Sequence, residues 1–155
     1  MNEFTIRPVE AGDIPNLKTV IAATEMFPPE LLDGMIDGYL NGHDQSIWLT
    51  GDEDTPTFVA FCAPEQMTEG TWNLYLIAVH PSLQSKGYGR HIMTYLEKEL
   101  GQRGERILIV ETSGLPAFER TRQFYHQCGY TEEARIRAFY AAGEDKVVFW
   151  KSLST

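Results

Sequence analysis

Cysteine is scarce in this chain, positive charge is outnumbered, and no apolar run is long. Cys62 and Cys128 are the only two cysteines in 155 residues, too few for a disulfide framework. Cys62 lies in an apolar, strand-like run and Cys128 at the end of a helical pattern, so two buried free thiols and a cytosolic location are expected. No stretch approaches the ~20 apolar residues of a membrane-spanning helix, which excludes such a span and a membrane partner of that kind. Met1-Asn2-Glu3-Phe4 lacks the basic-then-apolar order of a secretory leader. Thirteen Lys and Arg stand against 22 Asp and Glu, a net charge of −9. That balance argues against nucleic acid, whose phosphates call for a basic face, and leaves room for a cationic or amine partner. His43, His80, His91 and His126 are scattered without ligand spacing, so no metal set is present. Repeats, low-complexity tracts and linkers are also missing. With 43% hydrophobic residues, one well-buried domain over 1–155 is the expectation.

What the chain does have is a concentrated signal at residues 74–90. An apolar run, Leu74-Tyr75-Leu76-Ile77-Ala78-Val79, stops at His80-Pro81. A short polar turn leads to Gly87 and Gly89, and then Ile92, Met93, Leu96 and Leu100 recur at helical spacing. Strand, glycine turn and helix start aim several backbone N–H groups at one spot, where the helix dipole adds partial positive charge. An anionic group such as a pyrophosphate suits that spot. Glycines permit its close approach, and Lys86 and Arg90 lend a local positive field. The dinucleotide fingerprint needs a third glycine, and the P-loop needs other spacing and a Gly-Lys-Ser/Thr. Neither is present.

The remaining chain reads as alternating elements. Phe4–Pro8 is strand-like; Asp13 reads as the N-cap of a helix with Pro15 in its first turn; Pro28-Pro29 opens a second helix that Asn41-Gly42 ends. A loop exposing Glu25 and Phe27 joins these helices, either as a lid or as a plain helix-turn-helix connection. Ser46–Thr50 and Thr57–Ala63 are strands around a Gly51–Pro56 turn, and a third strand runs from Thr71 to Val79. After the central helix and a loop at 101–105, Arg106–Thr112 is a near-continuous apolar strand, as in a strand buried on both faces. Ser113–Pro116 introduces a helix stopped by Gly129, and Glu132–Tyr140 and Lys146–Ser152 form a hairpin around Ala141–Asp145. The order β-α-α-β-β-β-α-β-α-β-β defines a mixed α/β domain.

Two of these stretches carry a resemblance. Gln84-x-x-Gly87-x-Gly89, preceded by Val79-His80-Pro81, resembles the acetyl-CoA signature Gln/Arg-x-x-Gly-x-Gly/Ala of the GNAT acetyltransferase superfamily. Phe124-Tyr125-x-x-x-Gly129-Tyr130 is similar to that family's Phe-Tyr-x-x-x-Gly-Phe/Tyr. With the element order, the likeness spans nearly the whole chain. It implies a GNAT-like mixed central sheet flanked by helices. It also implies acetyl-CoA as co-substrate, no metal, and acetyl transfer to a primary amine of a small-molecule acceptor by direct attack in a ternary complex. A protein N-terminal or lysine acetyltransferase, and a non-catalytic acyl-CoA sensor, are the alternatives; a homodimer is left open.

By the same resemblance, main-chain groups of Leu76, Ile77 and Val79 would meet the pantetheine arm on a strand splayed from its neighbour. The N–H near Ile77 would serve as an oxyanion donor, and Gln84, Ser85, Lys86, Gly87, Tyr88, Gly89 and Arg90 would form the pyrophosphate turn. Tyr125 stands where the family often has a tyrosine that protonates the departing thiolate; a phenol of pKa ~10 stays protonated at neutral pH. Phe118, Phe124, Tyr125 and Cys128 could equally be one packing face. Seven positions before Tyr125, where many members carry a cofactor-contacting asparagine, this chain has Phe118. Arg122 is a candidate compensating contact or a surface ion-pair partner. For the general base, Glu111 at the end of its buried strand is the first candidate, either as base or as a water-mediated anchor for a cationic amine. A satisfied structural carboxylate is the alternative. His80, Glu25 and Glu69 are looser candidates.

Overall fold

A computed structural model describes residues 5–51 and 58–154. Met1–Phe4, Asp52–Pro56 in the expected turn and Thr57 at the head of an expected strand lie outside the described residues. The elements are β1 Arg7–Pro8, α1 Ile14–Thr24, α2 Leu32–Leu40, β2 Ile47–Thr50, β3 Phe58–Pro64, β4 Thr71–Val79, α3 Tyr88–Gln102, β5 Ile107–Ser113, α4 Glu119–Gln127, β6 Thr131–Ala141 and β7 Glu144–Ser152. This is the expected mixed α/β order. Its strands form one seven-stranded sheet in the order β1-β2-β3-β4-β5-β7-β6. Among the described residues no helix is long and apolar enough to cross a membrane. Two compact units can be distinguished, residues 1–63 with 75–95, and residues 64–74 with 96–155.

In the first unit the core forms where α1 and α2 lay their apolar stripes on strand residues. Leu17, Val20 and Ile21 of α1 and Leu32 and Ile36 of α2 cluster with Trp48, Val59, Leu76 and Ala78. Antiparallel pairing of β2 with β3 sets Trp48 opposite Phe61. Their rings stack at 4.1 Å, and Phe61 stacks in turn on Tyr75 at 5.5 Å. β1 is shorter than expected: Arg7 and Pro8 pair with β2, and the Val9 amide donates to the Trp48 carbonyl at 3.0 Å just beyond them. Asp13 departs from its expected capping role. Its carboxylate is held bidentately by Arg7 (2.8 Å to each oxygen) and accepts the Glu10 amide at 2.7 Å, leaving α1 without a side-chain cap bond. A guanidinium fork competes well for a carboxylate. The Arg7 bond first, with the Glu10 amide contributing, holds the Asp13 carboxyl below its ordinary pKa.

The second unit is built on β5, which pairs parallel with β4 from Thr71–Ile107 to Leu74–Val110 and antiparallel with β7 along its whole length. The helix before β5 runs through Gly101 to Gln102, so the expected loop narrows to a turn around Gly104, whose φ is +83°. The hairpin β6–β7 closes at Ala142-Gly143, tighter than the expected five-residue loop. β6 is exposed along all eleven of its residues and its ladder is broken twice, at Glu132/Ala134 and at Ile136/Ala141. The cysteines are free as expected, but only Cys62 is buried; Cys128 is partly exposed.

A polar knot ties α3 to this unit. Lys151 donates to Glu97 and to the Cys128 carbonyl, each at 2.8 Å, and the Tyr130 hydroxyl donates to the other Glu97 oxygen at 2.8 Å. Burial, reinforced by the Glu97 carboxylate, pushes the Tyr130 phenol far above its usual pKa. Removing one partner of such a set strands the other, at about 3–5 kcal/mol when burial is complete. Glu97 and Lys151 keep 18% and 29% side-chain exposure, which screens part of that cost. Glu97→Leu is expected to lower unfolding free energy by about 2 kcal/mol. A denaturant midpoint unchanged from wild type would show the knot to be energetically idle.

Candidate active site

The turn after β4 is held at both ends before it reaches α3. His80 caps the short helical turn Pro81–Leu83, its Nδ1 accepting the Ser82 amide at 3.2 Å and lying 2.8 Å from the Ser82 hydroxyl. The Gln84 side chain reaches back and donates to the Val79 carbonyl at 3.0 Å. Ser85 then adopts φ +64° and Gly87 φ +84°, left-handed positions that reverse the chain twice within three residues. For glycine this is cheap; for Ser85 it is a strained conformation of the kind found at ligand sites. The first bond into the helix runs from the His91 amide to the Gly87 carbonyl at 3.2 Å. The Gly89 and Arg90 amides are therefore too near the helix start to have intrahelical acceptors.

Gln84, Ser85, Lys86, Gly87 and Arg90 are exposed, and Tyr88 and Gly89 partly so. A Cβ built on Gly87 would meet nothing nearer than His91 Cδ2, at 4.0 Å. Open space in front of helix-start amides, with Lys86 and Arg90 beside it, fits a pyrophosphate. Leu76 points its side chain into the core, so only its main chain is available, while Ile77 and Val79 are partly buried.

The second unit holds the other candidates. Tyr125 is 3% exposed. Its ring meets Phe124 edge-on at 5.2 Å, Tyr130 at 6.0 Å and Phe149 at 5.5 Å. Burial drives its phenol well above the ordinary pKa, and among the described residues its hydroxyl has no hydrogen bond. Phe118 is not in that aromatic group; it is 39% exposed just before α4. Arg122 forms no ion pair among the described residues. Its guanidinium donates to the Ser113 and Leu115 carbonyls at 2.7 and 2.9 Å, fixing the connection from β5 to α4.

Glu111 is partly buried and ion-paired with Lys146 at 3.1 Å. The ammonium of Lys146 also lies 4.0 Å over the Phe139 ring. Neither partner was readable from the sequence, since the contact is made across the β5–β7 ladder. Of the looser candidates, Glu25 is the exposed left-handed C-cap of α1. Glu69 sits exposed in the β3–β4 turn, its carbonyl accepting from Arg106 Nε at 2.6 Å. Phe27, expected at a loop surface, is partly buried against the first unit's core. No cluster able to hold a metal ion occurs among the described residues.

Comparison with known proteins bears on the fold and the family. No curated protein matches the chain in sequence. Among solved structures, one assigned to the GNAT acetyltransferases, from Desulfovibrio desulfuricans, is 29% identical with a TM-score of 0.90, covering 97% of this chain and 99% of that one. The ribosomal-protein-S18-alanine N-acetyltransferase of Escherichia coli is 22% identical with a TM-score of 0.77, covering 99% and 96%. A Salmonella typhimurium protein solved with its cofactor acetyl-CoA is 18% identical with a TM-score of 0.76, covering 98% and 95%. The model of the acetyltransferase (GNAT) domain matches residues 43–132. With more than half of its length matched by that model, the chain belongs to the GNAT family of acetyl-CoA-dependent acetyltransferases.

Proposed function

We propose that residues 1–155 form one acetyltransferase domain, working in the cytosol, that acetylates a primary amine on a small molecule by direct attack in a ternary complex. The observation that carries this reading is the turn at residues 84–90. Ser85 and Gly87 are left-handed just before α3 begins, and the exposed Lys86 and Arg90 stand on either side of its first residues. Acetyl-CoA brings an activated acyl group and, once that is transferred, a thiolate. The chain's own work is then to hold the pyrophosphate on the amides of residues 87–90 and to align the pantetheine along the main chain of Leu76, Ile77 and Val79. The amide near Ile77 would steady the carbonyl oxygen as it gains charge, an effect worth ~3 kcal/mol per donor in other enzymes. Tyr125 would meet the departing sulfur, and Glu111 would take the proton that the amine must lose. A homodimer is compatible with this chemistry and not required by it.

The test is thiol release from acetyl-CoA across amino acids, polyamines, aminoglycosides and peptides. Release with small amines supports the reading; release with peptides alone makes the enzyme a protein acetyltransferase. Tight acetyl-CoA binding without release from any amine makes it a sensor.

Glu111 gives a sharper expectation. An alkyl amine of pKa ~10 is mostly protonated at pH 7, so a base must free its lone pair. Glu111→Gln is expected to lower kcat/KM for the acceptor roughly tenfold at pH 7, with the deficit closing as pH rises and solvent takes over. A loss confined to KM and indifferent to pH would make Glu111 an anchor for the amine. No change in either parameter would move the search to Glu25 and Glu69.

A further inference from the structure

Glu111 and Lys146 form an ion pair, but not a loose one. Their side chains keep only 29% and 13% exposure, and the ammonium is roofed by the Phe139 ring at 4.0 Å. That roof exists because β6 leaves its ladder. Pairing with β7 passes from Ile136–Lys146 directly to Ala141–Glu144, so Arg137, Ala138, Phe139 and Tyr140 stand against Asp145 alone. The excursion is pinned. Ala138 holds a left-handed φ of 52°, and the Asp145 carboxylate accepts the Ala138 amide at 2.9 Å and an Arg135 N–H at 3.3 Å. Those two bonds keep the Asp145 carboxyl below its ordinary pKa, so the latch stays charged. The excursion presents two perpendicular rings, Phe139 and Tyr140, 51% and 45% exposed, beside the ion pair. The Tyr140 phenol is raised, by burial first and by the Glu111 charge second, which marks its nearness to that carboxylate.

A fixed carboxylate and a fixed ammonium 3.1 Å apart make a poor receptor for a polycation, because Lys146 already neutralises Glu111. They make an equally poor receptor for a bare carboxylate, which Glu111 repels. A molecule carrying an ammonium and a carboxylate on neighbouring atoms can exchange the internal pair for two new ones. We infer that the acceptor is an amino-acid-like amino carboxylate. Its ammonium is received by Glu111, its carboxylate by Lys146, and its side chain by the Phe139–Tyr140 surface. This rests on the reading above, which assigns Glu111 to the acceptor. The chemistry closes: the ammonium gives one proton to Glu111, its nitrogen bonds the acyl carbon as the carbon–sulfur bond breaks, the nitrogen sheds its second proton to water as the amide forms, and the sulfur leaves as thiolate. The amide product carries no positive charge, so it loses its hold on Glu111 and can depart.

The experiment compares matched acceptors: L-phenylalanine, phenylalaninamide, phenethylamine and spermidine. Wild type should favour phenylalanine over phenethylamine by about tenfold or more in kcat/KM, the scale of one charge-assisted contact. Lys146→Met should bring that ratio near one, and Lys146→Arg should restore it, thermal melts confirming that both variants fold. Should no acceptor be turned over, the same ratio read as Kd by calorimetry on CoA-saturated protein decides the matter. Release from amines with a wild-type ratio near one, or with spermidine preferred, overturns the inference and leaves acetyl transfer standing. A ratio of about ten that Lys146→Met does not alter overturns it as well.

Discussion

Gly89→Asp is expected to weaken acetyl-CoA binding by about 10³-fold while the protein stays folded. Gly89 is the second residue of α3. In the first turn of a helix an aspartate interacts favourably with the dipole, by about 0.3–1 kcal/mol, and its helix propensity exceeds that of glycine by only about a few tenths of a kcal/mol. Neither effect harms the fold. The same carboxylate stands among the amides that the pyrophosphate needs, and like charges forced together cost several kcal/mol, about three decades of affinity. Gly89→Ala adds a methyl group without the charge and should stay within about tenfold of wild type, so the pair separates charge from bulk. Calorimetry of acetyl-CoA on a folded Gly89→Asp protein is the measurement. Affinity equal to wild type would mean that the phosphates lie elsewhere.

The part of the fold that positions this turn was legible because its signals are local. The β4 strand, the proline that stops it and the glycines that follow each act within a few residues, and β4 spans Thr71–Val79 as expected. Ser85 was not legible as a left-handed residue, because serine carries no preference for the positive φ of 64° that it adopts. Asp13 shows a different failure. Its composition suits a helix cap, but Arg7, six residues earlier, outcompetes the helix amides for its carboxylate. Phe27 sits in a loop by pattern and against the core by packing.

Farthest from the sequence's reach were the contacts of the second unit. The β6 excursion has no glycine to announce it; Ala138 is held left-handed by Asp145 from the opposite strand. Lys146 reads as the first residue of an ordinary strand until the β5–β7 register brings it to Glu111. The pattern leaves Arg122 as a compensating cofactor contact or a surface ion-pair partner; its bonds to the Ser113 and Leu115 carbonyls, which fix the entry to α4, come from backbone that the pattern does not place. That helix in turn sets Tyr125.

Tyr125→Phe is expected to lower kcat about 10²-fold with acetyl-CoA binding retained. The substitution deletes only the hydroxyl, which has no hydrogen bond among the described residues, and leaves the ring against Phe124, Tyr130 and Phe149. Stability should therefore be kept, and a fall in rate can be assigned to chemistry. Burial raises the phenol far above pKa 10. A raised phenol stays protonated throughout the working range, so the proton is always present; it is also a weaker acid, and full transfer to a thiolate of pKa ~8.5 runs uphill. The side chain then acts chiefly by donating a hydrogen bond to the sulfur as its charge develops. Because the folded pKa is raised, this contribution persists as pH climbs, and wild-type kcat should show no alkaline decline from this group below about pH 10. Single-turnover rates on both proteins, with chemistry limiting, measure the difference. Equal rates would return Tyr125 to the aromatic packing around α4, and an alkaline decline near pH 8–9 present in wild type and absent in the variant would show that the hydroxyl titrates in spite of its burial.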